Sequence, residues 1–208
     1  MTTYTYPTTG SAFAPAGLTW TQRHNTRVST SSLNGATQTS SLPGSRWAVS
    51  LDYPIQTYAE RAQIEALLTR LSGMEHRLAL WDVSRPQRRG TCNLTGVTVS
   101  AVAAQFAAGL VLAGCGASTT LLAGDWLRVT TSNGAQLLQI AADATASAGG
   151  AMTVETRPLL RGSVASGAAV TLDKPTALFV LATPELSIPR GGTNKCPPFS
   201  VELMEVFS

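Results

Sequence analysis

The stretch from Arg46 to Asp82 limits the fold most, because it reads as strand, capped helix and strand in immediate succession. Trp47, Val49, Leu51 and Tyr53 alternate with Ala48, Ser50 and Asp52. Large apolar residues at every second position line one face of a half-buried strand. Pro54 stops the ladder, since proline has no amide hydrogen to give. Thr57 and Glu60 have the spacing of a capping box, in which each side chain satisfies the other residue's amide. Ile64, Leu67, Leu68 and Leu71 then form one apolar stripe on a helix over residues 58–72. Ala59, Ala62 and Ala66 flank it and suit close approach to a sheet. Gly73 is the expected helix stop. Leu78, Leu80 and Trp81 open a second strand that ends at Asp82. The expected core of this unit is Trp47, Leu67, Leu71, Leu80 and Trp81.

The rest of the chain reads as β structure broken by turns. Met1 to Ala16 is Thr-, Ala- and Pro-rich, an arm or edge segment without a core of its own. Leu18 and Trp20 mark a short strand. Ser29 to Ser45 is a Ser/Thr/Gly tract with turn signals at Asn34-Gly35 and Pro43-Gly44. It is either a long loop or a strand pair joined at Asn34-Gly35. The composition breaks at Ser84 to Gly90. Beyond it, strands are expected over Leu94–Val102, Leu110–Leu112, Trp126–Thr130, Leu137–Ile140, Met152–Thr156, Ala169–Leu172 and Leu178–Leu181. Asn133-Gly134 between two of these runs signals a hairpin. Many short strands separated by glycine turns suggest a small β barrel or sandwich. Phe199, Val201 and Leu203 alternate again after the Pro- and Gly-rich connector 184–198. That last strand needs a partner, and the sheet of the first domain is the simplest one. The expected organisation is thus mainly β with one main helix. Residues 1–84 and 184–208 form a first domain, and residues 90–182 form a β domain inserted into it.

Composition narrows the function. Only 13% of the 208 residues are charged and the formal net charge is +3, so there is no basic footprint for nucleic acid. Arg85, Arg88 and Arg89 read as a solvated loop rather than a phosphate site. A charge-poor surface rich in Ala, Gly, Ser and Thr suits burial against neighbouring subunits. Residues 91–124 carry no charge, but Thr98, Ser100, Gln105 and Gly109 interrupt Val97–Gly114. That run reads as buried or interface segments rather than a membrane span. Met1 to Gly10 has neither the basic start nor the apolar run of a signal peptide, which fits synthesis in a cytoplasm. Cys92, Cys115 and Cys196 lack metal-site spacing and read as buried free thiols.

No constellation for catalysis stands out. His24 and His76 are the two histidines, and His76 reads as a surface residue after the helix. Asp52, Asp82, Asp125, Asp143 and Asp173 fall at strand ends or turns, where aspartate is ordinary. There is no nucleophile elbow and no P-loop. Trp20, Trp47, Trp81 and Trp126 suit core packing better than sugar stacking. No cofactor or metal is expected, and no catalytic residue.

Trp47-Ala48-Val49-Ser50-Leu51, Ile64-Glu65-Ala66-Leu67-Leu68, Leu71-Ser72-Gly73 and His76-Arg77-Leu78-Ala79-Leu80-Trp81-Asp82 together resemble the belt domain of distal tail proteins of long-tailed phages. Gly124-Asp125-Trp126-Leu127-Arg128-Val129, Gln136-Leu137-Leu138-Gln139-Ile140 and Val154-Glu155-Thr156-Arg157-Pro158-Leu159-Leu160-Arg161 are similar to the β domain inserted in such proteins. The resemblance covers most of residues 46–208. It implies an N-terminal β-sandwich carrying the helix, and a virion tail location. It also implies a self-assembled ring, usually a hexamer, that joins the tail tube protein to the tail-tip hub proteins. It carries over no catalytic residue. The alternatives are a host-glycan-binding module of the tail tip, another minor tail protein, or a depolymerase. The last lacks an acid/base pair in the sequence. Iron–sulfur binding, known for some minor tail proteins, has little support in the cysteine spacing.

Overall fold

The computed structural model describes residues 1–7, 10–41, 44–192 and 194–207. The protein is mainly β, with several sheets and, among the described residues, one α-helix. Along the chain, β1 (Thr3–Thr5) and a 3-10 turn at Ser11–Phe13 precede β2 (Gly17–Arg23) and the ribbon β3 (Thr26–Thr30) with β4 (Thr37–Ser41). Then come β5 (Arg46–Tyr53), β6 (Gln56–Thr57), α1 (Tyr58–Thr69) and β7 (Arg77–Leu80). A run of short strands follows: β8 (Thr98–Val99), β9 (Gly109–Ala113), β10 (Thr120–Leu121), β11 (Trp126–Thr131), β12 (Gly134–Ile140), β13 (Ala144–Thr145), β14 (Met152–Arg157) and β15 (Val170–Thr171). The chain ends with β16 (Ala177–Leu181), β17 (Lys195–Cys196) and β18 (Phe199–Glu205).

Two compact units result. One comprises Met1–Thr21, Trp47–Gln87 and Asp173–Ser208, and the other Gln22–Arg46 and Arg88–Leu172. The limits expected at residues 84 and 184 therefore move. The shift at the second limit is the larger, because β16 belongs to the first unit. It pairs with β7 on one side and β18 on the other, although sequence grouped Leu178–Leu181 with the inserted strands. The tract around β3 and β4, expected in the first domain, groups with the second unit.

The first unit is built on a six-stranded sheet of order β1-β7-β16-β18-β5-β2. β1 runs parallel to β7, while β16 and β18 join antiparallel ladders. The terminal strand β18 lies between β16 and β5, with Val201 opposite Leu51 and Leu203 opposite Val49. Alternation in β5 follows the pleat, so Trp47, Val49, Leu51 and Tyr53 are buried. Tyr6, Phe179, Leu71, Leu78 and Leu80 are fully buried with them, and Trp81 nearly so.

Helix α1 begins with the expected capping box. Thr57 Oγ1 accepts from the Glu60 amide, and Glu60 Oε2 accepts from the Thr57 amide at 3.1 Å. Its end differs from the expectation: the helix runs Tyr58–Thr69, not 58–72. Ser72 and Gly73 both take positive φ, at 49° and 68°, so the last apolar residue, Leu71, sits in the turn. A side chain at position 73 would meet the Pro184 carbonyl at 3.1 Å, so glycine suits both the conformation and the space. The buried helix stripe is Arg61, Ile64 and Leu68. Leu67 lies on its flank and is only partly buried, which corrects its place in the expected core. Ala59, Ala62 and Ala66 are exposed rather than packed on a sheet.

The second unit contains a six-stranded sheet of order β15-β11-β12-β14-β9-β8. Its two ends meet: Val99 N–H donates to Ala168 O, Val170 N–H to Val97 O, and Thr98 bridges Ala169. The sheet is thereby a nearly closed barrel. Inward residues such as Leu110, Leu112, Leu127, Val129, Leu138, Val154 and Leu172 fill it. The hairpin expected at Asn133-Gly134 forms one residue earlier, since Thr131 pairs with Gly134 and Ser132-Asn133 make the turn. Gly134 has φ 94°, the left-handed residue that follows such a turn. The strand expected over Leu94–Val102 shrinks to β8, because Gly96 turns at φ 76° and Val102 is 72% exposed.

Candidate functional site

Each carboxylate that sequence singled out has a structural task. Asp52 accepts from Ser200 Oγ at 2.5 Å. Asp82 accepts from both the amide and the hydroxyl of Ser84. Asp143 accepts from the Ala123 amide and Asp173 from Gln87 Nε2. Asp125, 3% exposed, gathers three amides: Arg89 at 2.8 Å, Leu122 at 2.9 Å and Gly90 at 3.3 Å. The Arg89 guanidinium lies 3.6 Å from it. This carboxylate pins the segment that enters the barrel. Among the described residues, no three His, Cys, Asp or Glu side chains are grouped as a metal site.

The remaining candidates are dispersed or packed. His24 is exposed, whereas His76 is half-buried beside Glu75 at 3.9 Å and tilted against the Tyr4 ring. Trp47, Trp81 and Trp126 are buried, and Trp20 meets Trp47 and Phe179 edge-on. Lys174 Nζ lies 5.4 Å from the Trp81 ring centre. Arg85 and Arg89 are exposed and Arg88 is half-buried. The Tyr6 hydroxyl donates to Phe13 O at 2.7 Å and meets the Tyr53 hydroxyl at 3.0 Å. Burial pushes both phenols above the ordinary tyrosine range, and the contact between them raises Tyr53 further.

Sequence reasoning missed Arg61. It is 2% exposed and faces no carboxylate among its hydrogen-bond partners. Nε donates to Gln56 Oε1, Nη1 to Pro189 O and Nη2 to Pro197 O, at 3.2, 3.3 and 2.6 Å. Its guanidinium carbon sits 4.1 Å from the Phe199 ring centre. Gln56 in turn donates to Ala12 O. The available signal was the connector itself, because a Pro-rich segment has fewer donors than acceptors and takes its donors from elsewhere.

What stands out as a surface is the ribbon. β3 and β4 pair from Thr26–Ser41 to Thr30–Thr37, so the tract is a strand pair turning near Asn34-Gly35. Pro43 of the other turn signal lies outside the described residues. Every described side chain from Thr26 to Ser40 is exposed, including Val28 at 60% and Leu33 at 97%. The ribbon is uncharged apart from Arg27. Among the described residues, the six-stranded sheet also ends in strands β1 and β2, whose outer edges pair with no further strand in that sheet.

The sequence matches no protein-family model and none of the curated proteins with which it was compared. No helix among the described residues is long and apolar enough to cross a membrane.

Proposed function

We propose that the chain is a structural ring subunit at the distal end of a long-tailed phage tail, joining the tail tube protein to the tail-tip hub proteins. In this reading the first unit is a belt-type β-sandwich domain carrying α1, and the barrel is the β domain inserted into it. Copies of the chain, six by the sequence resemblance, surround a channel in the virion tail after synthesis in the host cytoplasm. The subunit is not an enzyme: it acts by shape, through backbone pairing and charge-poor faces.

The observation that carries this reading is the exposed ribbon. A lone two-stranded hairpin is marginally stable in water. One that bares Val28 and Leu33 and packs neither face of β3 suits a partner better than solvent. Open edges in the six-stranded sheet are a liability that closure into a ring removes without leaving an end. A second copy of the chain supplies both the complementary edge and the symmetry.

Negative-stain imaging of the purified chain, with size-exclusion chromatography and light scattering, tests this. Ring particles with a central lumen are expected. Single copies at every concentration, together with virion maps that place the protein off the tail axis, would sink the proposal.

A further inference from the structure

Cys92 and Cys115 lie in different segments of the barrel unit, yet a backbone hydrogen bond joins those segments beside them and both side chains belong to one buried cluster. Both are fully buried in its core. The backbone holds them together. Asn93 N–H donates to Cys115 O at 2.9 Å, and Asn93 Nδ2 donates to Gly114 O at 2.9 Å. Cys92 N–H donates to Thr120 O at 3.0 Å. Thr91 and Asn93 on either side of Cys92 are exposed, so the thiol lies beneath a surface segment rather than deep in a sheet. Cys196 belongs to β17 of the other unit.

We propose that Cys92 and Cys115 are a disulfide site, a dithiol that a small-molecule disulfide such as oxidised glutathione converts to an intrachain cross-link. One cysteine thiolate attacks the glutathione disulfide and expels a glutathione thiolate. The second then attacks the protein-side sulfur of the mixed disulfide and expels the other glutathione. Two S–H bonds break and one protein S–S bond forms. The two electrons and two protons leave on two molecules of reduced glutathione. Burial pushes both thiols up, Cys92 to about 12 with the neighbouring thiol adding to the effect. The reaction is therefore slow and proceeds through local opening of the entry segment. The cross-link closes a loop containing β8 and β9, which restricts the unfolded chain. It does not depend on the assembly reading.

The full chain carrying Cys196→Ser is incubated with oxidised glutathione just below its melting midpoint, then denatured and alkylated. Peptide mapping should join Cys92 to Cys115 and leave neither available for alkylation. The oxidised protein should melt at a higher temperature than the reduced one. In the unsubstituted chain Cys196 should stay outside the cross-link, as a free thiol or a glutathione adduct. Two free thiols persisting in the Cys196→Ser protein under these conditions would overturn the proposal. So would a glutathione adduct on each cysteine without the cross-link, or a lower melting temperature on oxidation.

Discussion

Replacing Arg61 with Ala should destabilise the first unit and leave the barrel unit's transition in place. Arg61 makes three charge-assisted hydrogen bonds and lies on the Phe199 ring. Bonds to charged groups contribute about 1.5–3 kcal/mol each, and the ring contact roughly 1–2 kcal/mol when desolvated. These terms do not add, because water entering the truncated site would hydrogen-bond the Pro189 and Pro197 carbonyls. Truncation strands neutral acceptors rather than a charge; a buried acceptor left unmade costs about 1–3 kcal/mol, and with the lost ring contact the expected loss is about 3–5 kcal/mol. Lysine restores the charge but not the planar fork, so Arg61→Lys should fall between wild type and Arg61→Ala. Urea unfolding followed by tryptophan fluorescence reads the effect. Trp20, Trp47 and Trp81 report on the first unit, and a Trp126→Phe background silences the second. A midpoint for Arg61→Ala that implies a loss under about 0.5 kcal/mol would refute the clamp. So would an equal shift in both units.

Other substitutions follow the same logic. Leu80→Ala, at a fully buried position, should cost about 2–5 kcal/mol by chemical denaturation. Leu67→Ala, partly exposed, should cost less than about 2 kcal/mol in the same assay. Asp125→Ala strands three amides and should cost the barrel unit about 2–4 kcal/mol, read as a lower melting temperature. In alkaline spectrophotometric titration, Tyr6 and Tyr53 should stay protonated above the ordinary tyrosine range. Their pKa values are raised on folding, so their stabilising effect is complete below pH 10 and declines as pH climbs above it. Stability that is unchanged well above that pH would contradict the buried phenol pair.

Local rules made the middle of the first unit legible. The Thr57–Glu60 box and the alternation in β5 depend on neighbours in sequence, and both form as read. The helix end was harder, because Leu71 continues the stripe even though Arg70 already caps the helix. A buried arginine at position 61 also turns the helix so that Leu68 faces inward and Leu67 does not. Hydrophobic periodicity cannot see this, since it counts Arg61 as polar. The pairings of β16 with β7 and β18 join strands far apart in sequence, and their apolar runs look like any other. The ribbon was legible as a turn signal, but its exposure was not. A Ser/Thr tract has the same composition whether it packs on a sheet or stands clear of one.

Assembly is the central claim, and the solution mass of the chain with and without its ribbon tests it most directly. Residues 26–41 would be replaced by a short Gly-Ser linker, and both proteins measured by light scattering over a range of concentrations. The wild type should reach the mass of a closed ring, while the shortened chain should remain a single copy with an unchanged melting profile for the first unit. Equal masses for the two proteins, whether both assembled or both single, would contradict the account.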